Sequence, residues 1–402
     1  MNSFDVAAVL LVLAAVIGVV NDRWLRLPGP IALLIGALLS ATLVLTMDRL
    51  LLHRGTASYW AQRIAAADLQ HVLLDGVLPL LLFAGTMQVD ARAVRDRAAI
   101  VVVLATAGVF LATGLFAGGF YALARLFGVA VPLAWCMVLG AILAPTDAVV
   151  VEQLLRQVRL PPSMRGIITG ESLFNDGASV VVFLAAVAIA GGARDVVGDG
   201  RLALAVAVAG LGGIALGWLA GLLAAWASRR LTERTLEVTL SLALALASYR
   251  AAVAFGVSGP IAVVTAGLAY RFPPRWIGAN AESRQDVAQS WAVIDDIANT
   301  LLFLLMGFQL LALNNMLGVL PLLAGSYVLA LVSRALSVGI PMLPLPMPLP
   351  ARGRAVAALT WTGLRGGISV ALALTLPASP WRDLLLTVSY GIVVLSIVVQ
   401  AC

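Results

Sequence analysis

Long apolar runs separated by short polar breaks make up nearly the whole chain. About thirteen of them read as spanning helices, near residues 5–20, 29–46, 69–87, 99–124, 132–151, 166–190, 203–227, 236–254, 257–270, 291–312, 317–340, 355–376 and 384–402. A helix rises 1.5 Å per residue, so about 17–25 apolar residues cross the hydrocarbon of a bilayer. The breaks are too short to fold separately. The pattern therefore predicts an all-α polytopic membrane protein with about 13 transmembrane helices, residues 1–402 forming a single membrane domain.

Composition agrees and narrows the class. Hydrophobic residues are 61% and charged residues only 11% of the 402, and the mean hydropathy is +1.01. A soluble fold of this length has no interior large enough to hide that much hydrocarbon. The net charge of +6 and the pI near 10.0 would ordinarily suggest a nucleic-acid partner. Placement argues against one. Every basic residue is an arginine; with the N-terminus outside, sixteen of the 26 fall in cytoplasmic loops and eight in the opposite loops. That bias is the positive-inside rule, and it predicts a multi-pass plasma-membrane protein with N-terminus outside and C-terminus cytoplasmic. The partner is lipid. The first run has no basic stretch before it and reads as a retained helix, not a signal peptide. Cys136 and Cys402 offer no disulfide framework or metal spacing, and His53 and His71 stand alone.

Two of the runs are interrupted. The fifth carries Pro145, Thr146 and Asp147 in its middle, and the twelfth carries Gly363, Arg365, Gly366 and Gly367. Proline removes a helical N–H and clashes with the preceding turn. In hydrocarbon, freed backbone groups are tolerated only where protein or a watery cavity satisfies them. The two runs are seven helices apart, so they cross the bilayer in opposite directions. Discontinuous helices at matching places in oppositely oriented halves point to an inverted-repeat transporter with a midplane site.

Charges inside spans sharpen that reading. Asp147, Glu171, Asp176, Arg334 and Arg365 all fall within predicted helices. Each costs roughly 2.5–3.5 kcal/mol at the bilayer centre, so they must face one another or a water-filled cavity. Within GESLFNDG (170–177), Glu171 and Asn175 lie four apart on one helix face, and Ser172 and Asp176 share the adjacent face. The second pair stacks a hydroxyl over a carboxylate, hard oxygen donors suited to alkali and alkaline-earth cations. An unwound fifth helix would add the carbonyls at Thr146, and Asp147 would balance positive half-helix ends. Either Arg365 or Arg334 neutralises Glu171. A lone carboxylate that accepts a cation or a proton, but not both, suffices to couple their flows, because desolvation disfavours the bare charge. Elsewhere, Asp295 and Asp296 read as a dipole-favoured pair near a helix start, Asn299 as a packing amide near the depth of the site, and Asp75 and Glu237 as interfacial.

APTDAVVV (144–151), GESLFNDG (170–177) and WTGLRGGISVALAL (361–374) together resemble the monovalent cation:proton antiporters, within them the sodium/proton exchanger branch with the Asn-Asp motif. SRALSV (333–338), NTLLFLLMGF (299–308) and LLLFAGTMQVD (80–90) follow the same pattern in order. The resemblance implies two inverted six-helix repeats, a mobile core from helices near 132–190 and 317–376, a dimerisation part from the remaining helices, a homodimer, and elevator-like alternating access. It makes Asp176 the cation- and proton-binding carboxylate, with Ser172 and the Thr146 carbonyl as further ligands and Asp147 nearby. Asn175 stands where electrogenic relatives carry a second Asp, which implies electroneutral exchange of one cation for one proton. Glu171, Arg334 and Arg365 match the charges that stabilise the core. The cargo is a monovalent cation, sodium with lithium and potassium left open, together with a proton; no cofactor is implied. One position departs: Ala84 stands where many relatives have Glu, so ion preference does not carry over.

Two rival classes use the same residues. An intramembrane aspartyl protease would take Asp147 and Asp176 as its dyad, but its G-x-G-D signature is missing and thirteen helices are too many. A passive cation channel would have no use for a titrating carboxylate. The expected protein is a transporter, not an enzyme.

Overall fold

Helices fall on every one of the predicted apolar runs in the computed structural model, which describes residues 3–27, 29–47, 76–88, 97–147, 162–192, 201–231, 233–274, 281–308, 316–344 and 349–400. His53, His71, Asp75 and Cys402 lie outside the described residues. In chain order the helices are α1 (Ser3–Val20), α2 (Gly29–Met47), α3 (Leu78–Gln88), α4 (Ala98–Leu126), α5 (Leu133–Ile142), α6 (Pro162–Ala190) and α7 (Arg201–Ser228). They continue with α8 (Arg234–Ala254), α9 (Gly259–Arg271), α10 (Ala281–Phe308), α11 (Met316–Met342), α12 (Leu349–Trp361), α13 (Gly367–Leu374) and α14 (Arg382–Gln400). Among the described residues, seven helical stretches are by themselves long and apolar enough to cross a membrane. The protein is all-helical and multi-pass.

Helix boundaries follow local chemistry. Ser258 caps α9, its side chain accepting from the Ile261 N–H, and Pro260 sits in the first turn where a missing N–H does no harm. α4 contains one wide π turn, Leu104–Gly108, which brings Gly108 against α11.

Two bundles emerge from the packing. One core gathers apolar side chains of α4, α5, α6, α11, α13 and α14, including Phe116, Phe120, Leu139, Phe183 and Leu385. A second gathers α3, α7, α8, α9 and α10 around the fully buried Trp291, whose ring lies 4.6 Å from that of Phe83 and whose indole N–H donates to Ser241 at 2.8 Å. A third core, as large as the second, joins α1, α2 and α12 to α6, α10, α11, α13 and α14, and a small cluster adds Leu10, Ala37, Leu304 and Ala371. Apolar side chains such as Val12 and Val19 on α1 and Leu204, Leu211 and Trp218 on α7 are exposed. Outward surface of that kind suits lipid, not water.

Between helices in lipid, close backbone approach replaces the hydrophobic drive. α7 meets α9 through Gly213, Gly217 and Gly221, one turn apart, where any Cβ would strike the carbonyl oxygens of Ser258, Ala262 and Ala266. Gly217→Val is therefore expected to push the two helices apart and to destabilise by at least about 1–3 kcal/mol, read as a lower melting temperature in detergent. An unchanged melting temperature would contradict this packing.

Candidate functional site

The fifth predicted run breaks where its proline requires. α5 ends at Ile142, Leu143 closes the last turn, and residues 144–147 continue without helix. Pro145 has no N–H and disfavours helix at Ala144 before it. The twelfth run breaks into α12 and α13, with residues 363–366 outside helix between them. The two breaks complete each other. The Asp147 N–H donates to the Leu364 carbonyl at 2.8 Å. Arg365 Nη1 donates to the Ala144 and Pro145 carbonyls at 2.8 and 3.1 Å, and its backbone N–H donates to Ser396 Oγ at 3.2 Å. Groups that two broken helices would leave orphaned in hydrocarbon are thus bonded inside the protein. Gly366 is needed at the crossing, because a Cβ there would collide with the Asp147 carboxylate, and one on Gly367 would collide with Leu302. That places Asp147 beside the N-terminus of α13, whose dipole favours a negative charge.

Behind the crossing lies a closed polar network. Arg334 on α11 grips Glu171 on α6 with two parallel hydrogen bonds, Nη1 to Oε1 at 2.8 Å and Nη2 to Oε2 at 2.7 Å. Arg334 Nε reaches the Leu359 carbonyl at 3.3 Å, and Gly363 leaves room for the guanidinium, since a Cβ there would stand 2.8 Å from Nε. Asn175 Nδ2 donates to Glu171 Oε1 and to Thr146 Oγ1, both at 2.8 Å. Its Oδ1 faces the Thr146 N–H at 3.5 Å, and Thr146 Oγ1 lies 3.0 Å from Ser172 Oγ. A buried ion pair is tolerated when, as here, its geometry is bidentate and its remaining lone pairs are bonded. Of the two arginines left open by the sequence, Arg334 is the one hydrogen-bonded to Glu171; the Arg365 head group bonds to carbonyls.

In front of the crossing is a cleft of about 50 Å³, lined by Thr146, Asp147, Asp176, Asn299 and Ser369 among apolar residues of α3, α6 and α10. A volume of that order holds a few waters or a small ion with part of its shell. Asp176, only 6% exposed, has a buried Oδ1 with no hydrogen-bond partner among the described residues. An orphaned carboxylate oxygen at such depth is costly unless a positive species meets it. Of the sequence candidates, Asp176, Asp147 and Thr146 line the cleft. Ser172 and Asn175 do not; they connect to it through Thr146.

The site sits where the two bundles meet. Leu81, Leu82 and Gly85 of α3 and Asn299 and Leu302 of α10 close it from the second bundle. A carboxylate held between two bundles, beside two broken helices, invites comparison with known transporters. The model of the family described as "Sodium/hydrogen exchanger, transmembrane" matches residues 8–402. The chain belongs to this family. Its members are transporters, not enzymes. Among its relatives, the Na(+)/H(+) antiporter NhaP of Pseudomonas aeruginosa is 37% identical over 407 aligned residues, covering 98% of this chain and 94% of the relative. The Na(+)/H(+) antiporter NhaH of Halobacillus dabanensis is 28% identical, again covering 98% and 94%. The fold is similar to that of the sodium proton antiporter MjNhaP1 from Methanocaldococcus jannaschii, with a TM-score of 0.77 over 99% of this chain and 96% of that one, at 18% identity.

Asp295 and Asp296 are not near a helix start: α10 begins at Ala281, and the pair lies in its middle. Asp296 is exposed, whereas Asp295 is buried and accepts from Gln88 Nε2 at 2.9 Å and Asn299 Nδ2 at 3.0 Å. Glu237, in the first turn of α8, is buried. Asn299 is more than a packing amide, because it lines the cleft. Its spacing of four from Asp295 is the signal for this in the sequence.

Proposed function

We propose that the chain exchanges a monovalent cation for a proton by alternating access, with Asp176 as the carboxylate both compete for. The orphaned Oδ1 of Asp176 inside the cleft carries this reading. With a proton or a monovalent cation bound, the Asp176 carboxylate is neutralised; empty, it leaves a bare charge in low dielectric. Charges in hydrocarbon are disfavoured by several kcal/mol, so the empty carrier is a poor candidate for moving and each ion returns only in exchange for the other. Asp147 and the Thr146 backbone stand beside Asp176 as supporting oxygen donors, with Ser172 and Asn175 holding Thr146 in place.

Asn175 supports electroneutral one-for-one exchange. It is neutral, and both its amide hydrogens are committed to Glu171 and Thr146. The arginine bias supports an external N-terminus and a cytoplasmic C-terminus in the plasma membrane. Family resemblance supports thirteen spans in two inverted six-helix repeats and a homodimer. It also supports a mobile core near 132–190 and 317–376, with a dimerisation part from the remaining helices.

Purified protein in liposomes with an imposed pH gradient tests the proposal. Adding sodium, lithium or potassium is expected to trigger proton movement, at a rate unaffected when the membrane potential is clamped to zero. Cation passage without opposing proton movement would overturn the proposal, and a rate that follows the potential would overturn the one-for-one stoichiometry.

A further inference from the structure

We infer that Asn299 is a cation ligand of the cleft, offering its amide oxygen from α10, and that Asp295 and Gln88 are the residues that position it. This rests on the proposal above that a monovalent cation binds at Asp176.

Asn299 is only 6% exposed, and it lines the same cleft as Asp147 and Asp176. Its Nδ2 donates to the Asp295 backbone carbonyl at 2.9 Å and to Asp295 Oδ1 at 3.0 Å. Both partners are acceptors, so the amide has one orientation: a flip would set Oδ1 against two oxygens. The backbone carbonyl imposes this even when the carboxylate is protonated. With the nitrogen held back toward Asp295, Oδ1 is the polar atom Asn299 has for the cleft. Asp295 is itself fixed from the neighbouring helix, where Gln88 Nε2 donates to its Oδ2 at 2.9 Å. Gln88 lies one turn beyond Ala84 on α3.

The chemistry suits the cargo. A neutral amide oxygen beside two carboxylates completes a hard-oxygen set for an alkali cation without adding charge. The placement adds a consequence. Asp176 stands on α6 and Asp147 on the break after α5, while Asn299 stands on α10. The amide oxygen therefore reaches the ion only when α6 and α10 lie together as they do here, and the cation is held more tightly in this arrangement than in one that separates α6 from α10.

The test measures cation binding separately from transport. Melting temperature of the purified protein is titrated with sodium chloride at constant ionic strength set by choline chloride, and sodium-driven proton flux is measured in parallel. Asn299→Leu and Asn299→Ala are expected to raise the half-saturating sodium concentration about tenfold in both readouts. Asp295→Ala, which leaves the backbone carbonyl in place, should raise it about threefold, and adding it to Asn299→Ala should bring no further rise. A purely structural Asn299 would lower the sodium-free melting temperature and leave half-saturation unmoved; that result in either Asn299 variant would overturn the inference. If Asn299→Leu does not accumulate, Asn299→Ala decides. A sodium response that survives in Asp176→Asn would overturn the underlying proposal instead, whereas one that needs Asp176 but ignores Asn299 would overturn this inference alone.

Discussion

Asp176→Asn should yield a folded protein whose cation-dependent proton flux falls to the level of empty liposomes. The substitution keeps shape and removes the charge that a cation needs and the site a proton needs. Asp176 Oδ1 has no hydrogen-bond partner among the described residues to lose, so little stability is at stake. Replacing an isolated buried charge with an amide relieves desolvation, and the melting temperature is expected to equal or exceed that of the unaltered chain. Stabilisation by sodium should vanish with the flux. Exchange within about tenfold of the original rate would show that the competition takes place elsewhere.

Arg334→Ala should have the opposite profile, failing at folding before transport can be assayed. The guanidinium provides two bonds to Glu171 and a third to the Leu359 carbonyl, all out of water. Removing it leaves Glu171 as an uncompensated buried charge, a loss of about 3–5 kcal/mol. That is comparable to the whole margin of many domains. Yield and melting temperature should therefore collapse. Replacing both partners by neutral residues of similar size, Glu171→Gln with Arg334→Met, should recover much of the loss, because no stranded charge remains. A single variant that melts like the parent would contradict the pairing, as would a double variant no better than the single.

The spans were legible because hydrocarbon admits few solutions: runs of apolar residues must be helices, and the positions of Pro145 and Gly366–Gly367 announced where two of them break. Glu171 and Asn175 could be placed face to face from their spacing alone, and they do hydrogen-bond. The choice between Arg334 and Arg365 was hidden. It depends on Gly363 opening a path for one guanidinium and on the carbonyls of Ala144 and Pro145 capturing the other, and both are tertiary facts. The place of Asp295 is hidden for a related reason. Hydropathy marks where a helix enters lipid, not where it starts, and α10 runs several polar turns before it becomes apolar.

The exchange of backbone bonds between the two interrupted segments has a mechanical corollary. Asp147 is tied to Leu364, Arg365 to Ala144 and Pro145, and Glu171 to Arg334, so four separate stretches of chain are knotted at one point. Pulling on any strand of the knot tugs the rest. Whatever displacement turns the ion from one face of the membrane to the other must convey the knot whole, like a parcel, and the yielding has to occur in the joints around it.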